Sequence, residues 1–106
     1  MKLVIAIIND DDSRNVMDEL RESGFIVTKL CSTGGFLKAG NTTLLTGVDD
    51  NQVSDVIQVI QHNSKARKKF IRTGAHRPAD TSGSQTEIHV GGATIFVTNI
   101  ERFEKV

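Results

Sequence analysis

The sequence contains no tryptophan, no tyrosine, one cysteine and one proline among its 106 residues. A single cysteine excludes an internal disulfide and any metal site built from several cysteines. The formal net charge is zero, so no overall field attracts nucleic acid or an anionic membrane. No apolar run approaches the roughly 20 residues that a membrane-spanning helix needs. We therefore expect a cytoplasmic protein that binds no nucleic-acid polymer and does not insert into membranes.

Hydrophobic periodicity predicts four strands and two helices in a single domain over residues 1–106. We expect strands at residues 2–9, 25–31, 42–48 and 86–99, the last one hinged or bulged at Gly91 and Gly92. Helices are expected to begin at Asp10 and at Asp49, where acidic residues suit a helix N-terminus. Loops are expected at residues 32–40 and 73–85. The order β-α-β-β-α-β is typical of an α+β ferredoxin-like fold, with two helices on one face of a four-stranded antiparallel sheet.

The second face of this sheet should also be covered. Leucine, isoleucine and valine occur at both alternating sets of positions in the first and third strands, and one set faces away from the helices. A chain of this length with few aromatic residues builds a limited core, and burial between subunits is a common remedy. We therefore expect an oligomer.

The stretch TKLCSTGGFLKAGN, residues 28–41, is the first candidate binding segment. Its three glycines leave backbone N–H groups unobstructed, and such groups form concavities that bind anions. Phe36 could stack on a base, and Asn41 offers both hydrogen-bond donors and acceptors. The alternative is a plain connection in which the glycines only turn the chain. Residues 91–94 form a second small-residue segment, for which a β-bulge is the alternative.

The remaining polar features indicate no catalytic or metal chemistry. The basic run at residues 65–72 is expected to be a solvated strand edge. The three histidines have no spacing typical of a metal site, and Cys31 has no neighbouring base that would make it a nucleophile. We expect neither an enzyme nor a bound cofactor or metal. An acylphosphatase-type phosphatase on this fold would need an arginine near the glycine-rich loop, and the sequence has none there.

Two motifs resemble the signatures of one known family. The pattern TKL-x-x-TGGFL-x-x-GNTT covers residues 28–43, and VGGAT-x-FV covers residues 90–97. Together they are similar to the signatures of the PII-like cyclic di-AMP receptor family, related to the nitrogen regulatory PII signalling proteins. The resemblance extends over nearly the whole chain. It implies a homotrimer of ferredoxin-like subunits, with one cyclic di-AMP in each cleft between neighbouring subunits.

The resemblance also implies which residues contact the ligand and how the signal leaves the protein. In such a family, mobile loops relay ligand binding to a protein target, which for this chain is unknown. The positions that match ligand-contacting positions of the family come from both motifs and from the strand after the first one: Thr28, Gly35, Phe36, Leu37, Asn41, Gly47, Gly92 and Phe96.

The chain departs from the family pattern at two places. Where the family often has an arginine, this sequence has Ile26, and where it commonly ends in a glutamine and an aromatic residue, Lys105 and Val106 stand. An arginine would supply charge-assisted hydrogen bonds, the stronger kind. An alternative interpretation is therefore a PII-like interaction protein that has lost the dinucleotide or binds an adenine mononucleotide.

Overall fold

The computed structural model describes residues 1–30, 40–72 and 85–106. In chain order the elements are these: β1 (Lys2–Asn9), α1 (Asp10–Glu22), β2 (Thr28–Leu30), β3 (Asn41–Val48), a 3-10 turn (Asp50–Gln52), α2 (Val53–Asn63), β4 (Arg67–Arg72), β5 (Gln85–Val90) and β6 (Ala93–Asn99). Among these residues no helix is both long and apolar enough to cross a membrane.

Four of the strands form an antiparallel sheet in the order β2-β3-β1-β6. The apolar β1 is central and pairs with β3 on one side and β6 on the other, as a run rich in valine and isoleucine favours. Both helices pack on one face of this sheet. The predicted ferredoxin-like α+β fold is confirmed.

The core lies between this face and the helices. Alternate residues of β1 are buried, Val4, Ala6 and Ile8, and they pack with Val16 and Leu20 of α1. The other core residues come from α2, β3 and the segment before β2: Val27, Leu44, Val48, Val56 and Ile60. Burial of one side chain in two along β1 fixes which residues of the strand face away from the helices.

The acidic start of α1 caps the helix differently from the prediction. The N-cap is Asn9, whose side chain accepts a hydrogen bond of 2.9 Å from the Asp11 amide. The three aspartates occupy the first turn, where their negative charges interact favourably with the positive end of the helix dipole. Two of them have further partners, described below.

The second strand is shorter than predicted. It begins at Thr28 because the residues before it are engaged elsewhere. The Phe25 amide donates to the Leu20 carbonyl at 2.9 Å and so closes the end of α1. The Ile26 carbonyl accepts a hydrogen bond of 2.6 Å from the Thr46 hydroxyl. Cys31, the predicted end of this strand, lies outside the described residues.

The prediction that residues 86–99 form one strand, hinged or bulged at its glycines, was wrong. Its two halves belong to different sheets, because β6 joins the main sheet and β5 pairs with β4 in a two-stranded sheet. Gly91 and Gly92 both have positive φ, which turns the chain between the two sheets. We call β4 and β5 together the arm. Gln85, placed in the predicted loop 73–85, is the first residue of β5; residues 73–84 lie outside the described part.

Candidate functional site

Four predicted ligand residues lie on the sheet face opposite the helices, which we call the open face. In antiparallel pairs, directly opposed residues project from the same side of the sheet. Thr28 opposes Leu45, Leu45 opposes Ile5, and Ile5 opposes Phe96. This row crosses all four strands. Gly47 and Asn41 of β3 share the alternation of Leu45 and therefore lie on the same face.

Thr28 and Phe96 stand at opposite ends of that row. They belong to the two edge strands, and two strands separate them. With strands about 4.8 Å apart, the separation across the row is roughly 14 Å. Phe96 is 54% exposed. Since the two residues mark opposite edges of one sheet, they do not enclose one compact ligand within a single chain.

The open face is uncharged along the described strands. Its residues in rows across the sheet are Leu3, Gly47 and Thr98; Ile5, Leu45, Thr28 and Phe96; Ile7, Thr43, Leu30 and Thr94; Asn9 and Asn41. Antiparallel sheets usually carry charged and polar residues on a solvated face. A neutral face rich in leucine and isoleucine suits contact with another protein surface or with an apolar part of a ligand.

Gly47 provides an open position on this face. A Cβ atom placed on it would meet only the Cδ1 atom of Ile100, at 3.6 Å, which is an ordinary contact. The fold of the chain therefore does not require glycine here. A ligand that approaches the strand closely would require it.

Gly92 is in a different place from these four residues. Its amide donates to the Ser64 carbonyl, and it borders a cavity of about 520 Å³ beside the end of α2. The cavity is also lined by Gln61, Lys65, Ala66, Ala93 and Ile95. Ile95 opposes Ala6, a buried residue, so the cavity lies on the helix side of β6. Gly35, Phe36 and Leu37, three further predicted contacts, lie outside the described residues.

The arm begins at Arg67 and ends before Gly91. We call this end of the arm, together with Asp12 of α1, the root. It contains an ion pair that the sequence analysis did not predict. The Arg67 guanidinium donates to both carboxylate oxygens of Asp12, at 3.0 and 3.2 Å, and to the Lys65 carbonyl at 3.3 Å. Only 8% of the Asp12 side chain is exposed. The hydrogen bond to Asp12, with the charge of that carboxylate, raises the pKa of Arg67 above its ordinary value. The arginine is therefore charged throughout the physiological pH range.

Gly91 allows this ion pair to form. Its φ is +81°, and an added Cβ would lie 2.5 Å from the Lys65 carbonyl oxygen and 2.7 Å from Arg67 Nη1. Both distances are far below van der Waals contact. The residues at the root, Asp12, Arg67 and Gly91, were not among the predicted site residues. Asp12 and Arg67 are 55 positions apart, so no local pattern connects them.

The described residues of the open face offer apolar side chains and neutral hydrogen-bonding groups. Within the described ranges, no three histidine, cysteine or acidic side chains converge as metal ligands. The hydrogen-bonding groups on the open face are neutral hydroxyls and amides. Together with the ferredoxin-like fold, these features are typical of a ligand-binding or assembly module.

Comparison with known proteins gives the family. The sequence model of the cyclic-di-AMP receptor family matches residues 1–106, which is the whole chain. The chain belongs to the cyclic-di-AMP receptor family, as its two motifs predicted. Among solved structures, it is similar to a functionally unknown protein from Pediococcus pentosaceus ATCC 25745, known from its crystal structure. The two are 34% identical with a TM-score of 0.74, and the match covers 99% of this chain and 96% of that one.

Proposed function

We propose that this protein is a cytoplasmic signal receptor, and not an enzyme, that binds cyclic di-AMP in clefts between the subunits of a homotrimer. Loop segments at residues 32–40 and 73–85 would change their order on binding and so alter affinity for a protein target. Membership of the cyclic-di-AMP receptor family supports the ligand. The loops and the target are motivated by the similarity to PII-type signalling proteins.

The positions of the predicted contacts on the open face support a binding cleft between subunits. Thr28, Asn41 and Gly47 lie on β2 and β3, whereas Phe96 lies on the opposite edge strand. A cyclic dinucleotide that contacts both groups needs β6 of a neighbouring subunit beside β2 and β3 of the first. In that arrangement the neutral open faces also meet one another, which explains why they lack charge.

Calorimetric titration with cyclic di-AMP tests the proposal, with ATP and cyclic di-GMP as controls. We expect saturable binding of one cyclic di-AMP per subunit, and light scattering should report a trimer. Thr28→Ala and Asn41→Ala should weaken binding with the trimer intact. Lys29→Ala is the matched control, because Lys29 is on the same exposed edge strand but opposes Leu44, on the helix side of the sheet. The absence of binding at high micromolar cyclic di-AMP would refute the ligand assignment.

A second candidate function is favoured by the missing charge. Cyclic di-AMP carries two phosphates, and the open face of the described strands holds no cation to balance them. Ile26 replaces the arginine that the family often has, and this residue is 77% exposed. These observations favour a PII-like interaction protein that no longer binds the dinucleotide, or that binds an adenine mononucleotide.

The variant Ile26→Arg separates the two candidates. The exposed position accommodates an arginine, which supplies charge-assisted hydrogen bonds to phosphate. If the site is a cyclic di-AMP cleft, affinity should rise, by roughly tenfold for one such bond. Ile26→Gln controls for size and polarity without charge. If neither the wild-type chain nor Ile26→Arg binds cyclic di-AMP, the interaction protein is the better description.

A further inference from the structure

The first turn of α1 contacts the start of β3 on one side. The Asp10 amide donates to the Gly40 carbonyl at 2.8 Å, and the Thr42 hydroxyl donates to the Asp10 carboxylate. Asn41 lies between these two attachment points. Thr42 is buried, so its hydroxyl holds a defined position. Asp10 therefore fixes the backbone on both sides of a predicted ligand contact.

The same turn contacts the arm on its other side. Asp12, two residues further on, holds Arg67 through both carboxylate oxygens. Arg67 opposes Val90 in the arm, so the ion pair is at the rung where the arm begins. The hydrogen bond from the Gly92 amide to the Ser64 carbonyl is a second attachment at the root of the arm. The arm is thus attached to α1 by a buried carboxylate.

We propose that Asp10 and Asp12 are positioning residues that link Asn41 to the arm, so that the attachment of the arm and the position of Asn41 depend on each other. The two aspartates belong to one helical turn, which Asn9 caps, so neither moves without the other. An Asp12 carboxylate that loses Arg67 must reach water, because a buried charge without a partner is unfavourable. The shift of the turn that exposes it also displaces Asp10.

The proposal rests on the proposed function in one respect, the ligand contact of Asn41. The proposed coupling between the position of Asn41 and the attachment of the arm does not itself depend on any ligand. Coupling between two sites is reciprocal in free energy, so detachment of the arm must loosen the attachment of Asp10 to β3 by the same free energy as loss of that attachment loosens the arm. This reciprocity gives a test in the ligand-free protein.

Amide hydrogen exchange provides that test, applied to the wild type, Arg67→Met and Thr42→Val. The reporters are the Asp10 amide at β3 and the Gly92 amide at the arm root, and amides of α2 serve as the reference for global unfolding. We expect Arg67→Met to accelerate exchange at Asp10, and Thr42→Val to accelerate exchange at Gly92, each by about threefold to tenfold. Lys65→Met is the matched control, because it removes an exposed neighbouring cation and keeps the backbone carbonyl of residue 65, which accepts from Arg67.

Two results would overturn the proposed coupling between Asn41 and the arm. One is that Arg67→Met accelerates exchange at Gly92 and leaves Asp10 unchanged. The other is that every amide, including those of α2, accelerates by the same factor, which would indicate global destabilisation alone. Calorimetry with cyclic di-AMP then addresses the ligand: affinity should fall by about threefold to tenfold in Arg67→Met and stay unchanged in Lys65→Met. If the wild type does not bind cyclic di-AMP, the proposed function fails, and the exchange data alone decide on the link.

Discussion

The substitution Gly91→Ala tests the close packing at the arm root. An alanine would have two costs there. The first is the positive φ of +81°, which is unfavourable by about 1–2 kcal/mol for a residue with a Cβ. The second is the contact of that Cβ with the Lys65 carbonyl oxygen at 2.5 Å. The second cost exists only if the root is packed as the structure has it.

Gly24→Ala is the matched control, because it isolates the first cost. Gly24 has a φ of +90°, and an added Cβ would have no atom within 4 Å. Both variants also gain a little stability, about 0.4–1 kcal/mol, because alanine restricts the unfolded chain. Gly24→Ala should therefore lower the free energy of unfolding by about 1 kcal/mol. Gly91→Ala adds an overpacking cost of about 1–3 kcal/mol and should lower it by roughly 2–4 kcal/mol.

Urea unfolding of both variants, at one protein concentration, measures the difference. The Lys65 oxygen belongs to the backbone, so it cannot move aside as the tip of a flexible side chain would. An alternative response is detachment of the arm root, which would limit the loss of global stability. Faster exchange of the Gly92 amide would reveal that detachment. Equal stability of the two variants, with unchanged exchange at Gly92, would refute the close packing of Gly91.

Three further predictions concern the open face and the core. Gly47→Ala should leave the free energy of unfolding within about 0.5 kcal/mol, since Ile100 is at an ordinary distance, yet weaken cyclic di-AMP binding measured by calorimetry. Phe96→Ala should also weaken binding, by about tenfold if the ring stacks on a base, while circular dichroism shows an intact fold. Leu20→Ala, at a fully buried position, should cost about 2–5 kcal/mol in urea unfolding, whereas Ile26→Ala, at an exposed one, should cost less than about 0.5 kcal/mol.

The main sheet was predictable from sequence because its signals are local. The valine and isoleucine run of β1 and the apolar stripes of α1 and α2 are each contained in one segment, and the β-α-β-β-α-β order then leaves few topologies. The ends of elements were less accurate. The second strand starts at Thr28 and not at Phe25, because the Phe25 amide donates to Leu20 at the end of α1 and the Ile26 carbonyl accepts from the distant Thr46 hydroxyl.

The arm was not predicted because its definition depends on long-range pairing. Residues 67–72 and 85–90 pair across a separating segment, and nothing local distinguishes that pairing from one continuous strand at residues 86–99. Gly91 and Gly92 marked the boundary in the sequence, but glycine alone does not say whether the chain bulges or changes sheet. The single-domain prediction for residues 1–106 and all eight predicted ligand contacts stay predictions, and three of these contacts, Gly35, Phe36 and Leu37, lie outside the described residues.

The family motifs and the structure explain different parts of the site. The motifs select Thr28, Asn41 and Phe96, and the strand register brings these onto one uncharged face without bringing them together within one chain. If the chain assembles as proposed, a site divided between the two edges of the sheet would become complete only between subunits. In that proposed assembly the ligand would contact one subunit through β3 and the next through β6. β3 adjoins the first turn of α1, and β6 adjoins the root of the arm. Ligand occupancy and arm attachment would then be coupled around the whole ring of subunits, and a receptor without an enzymatic step could signal in that way.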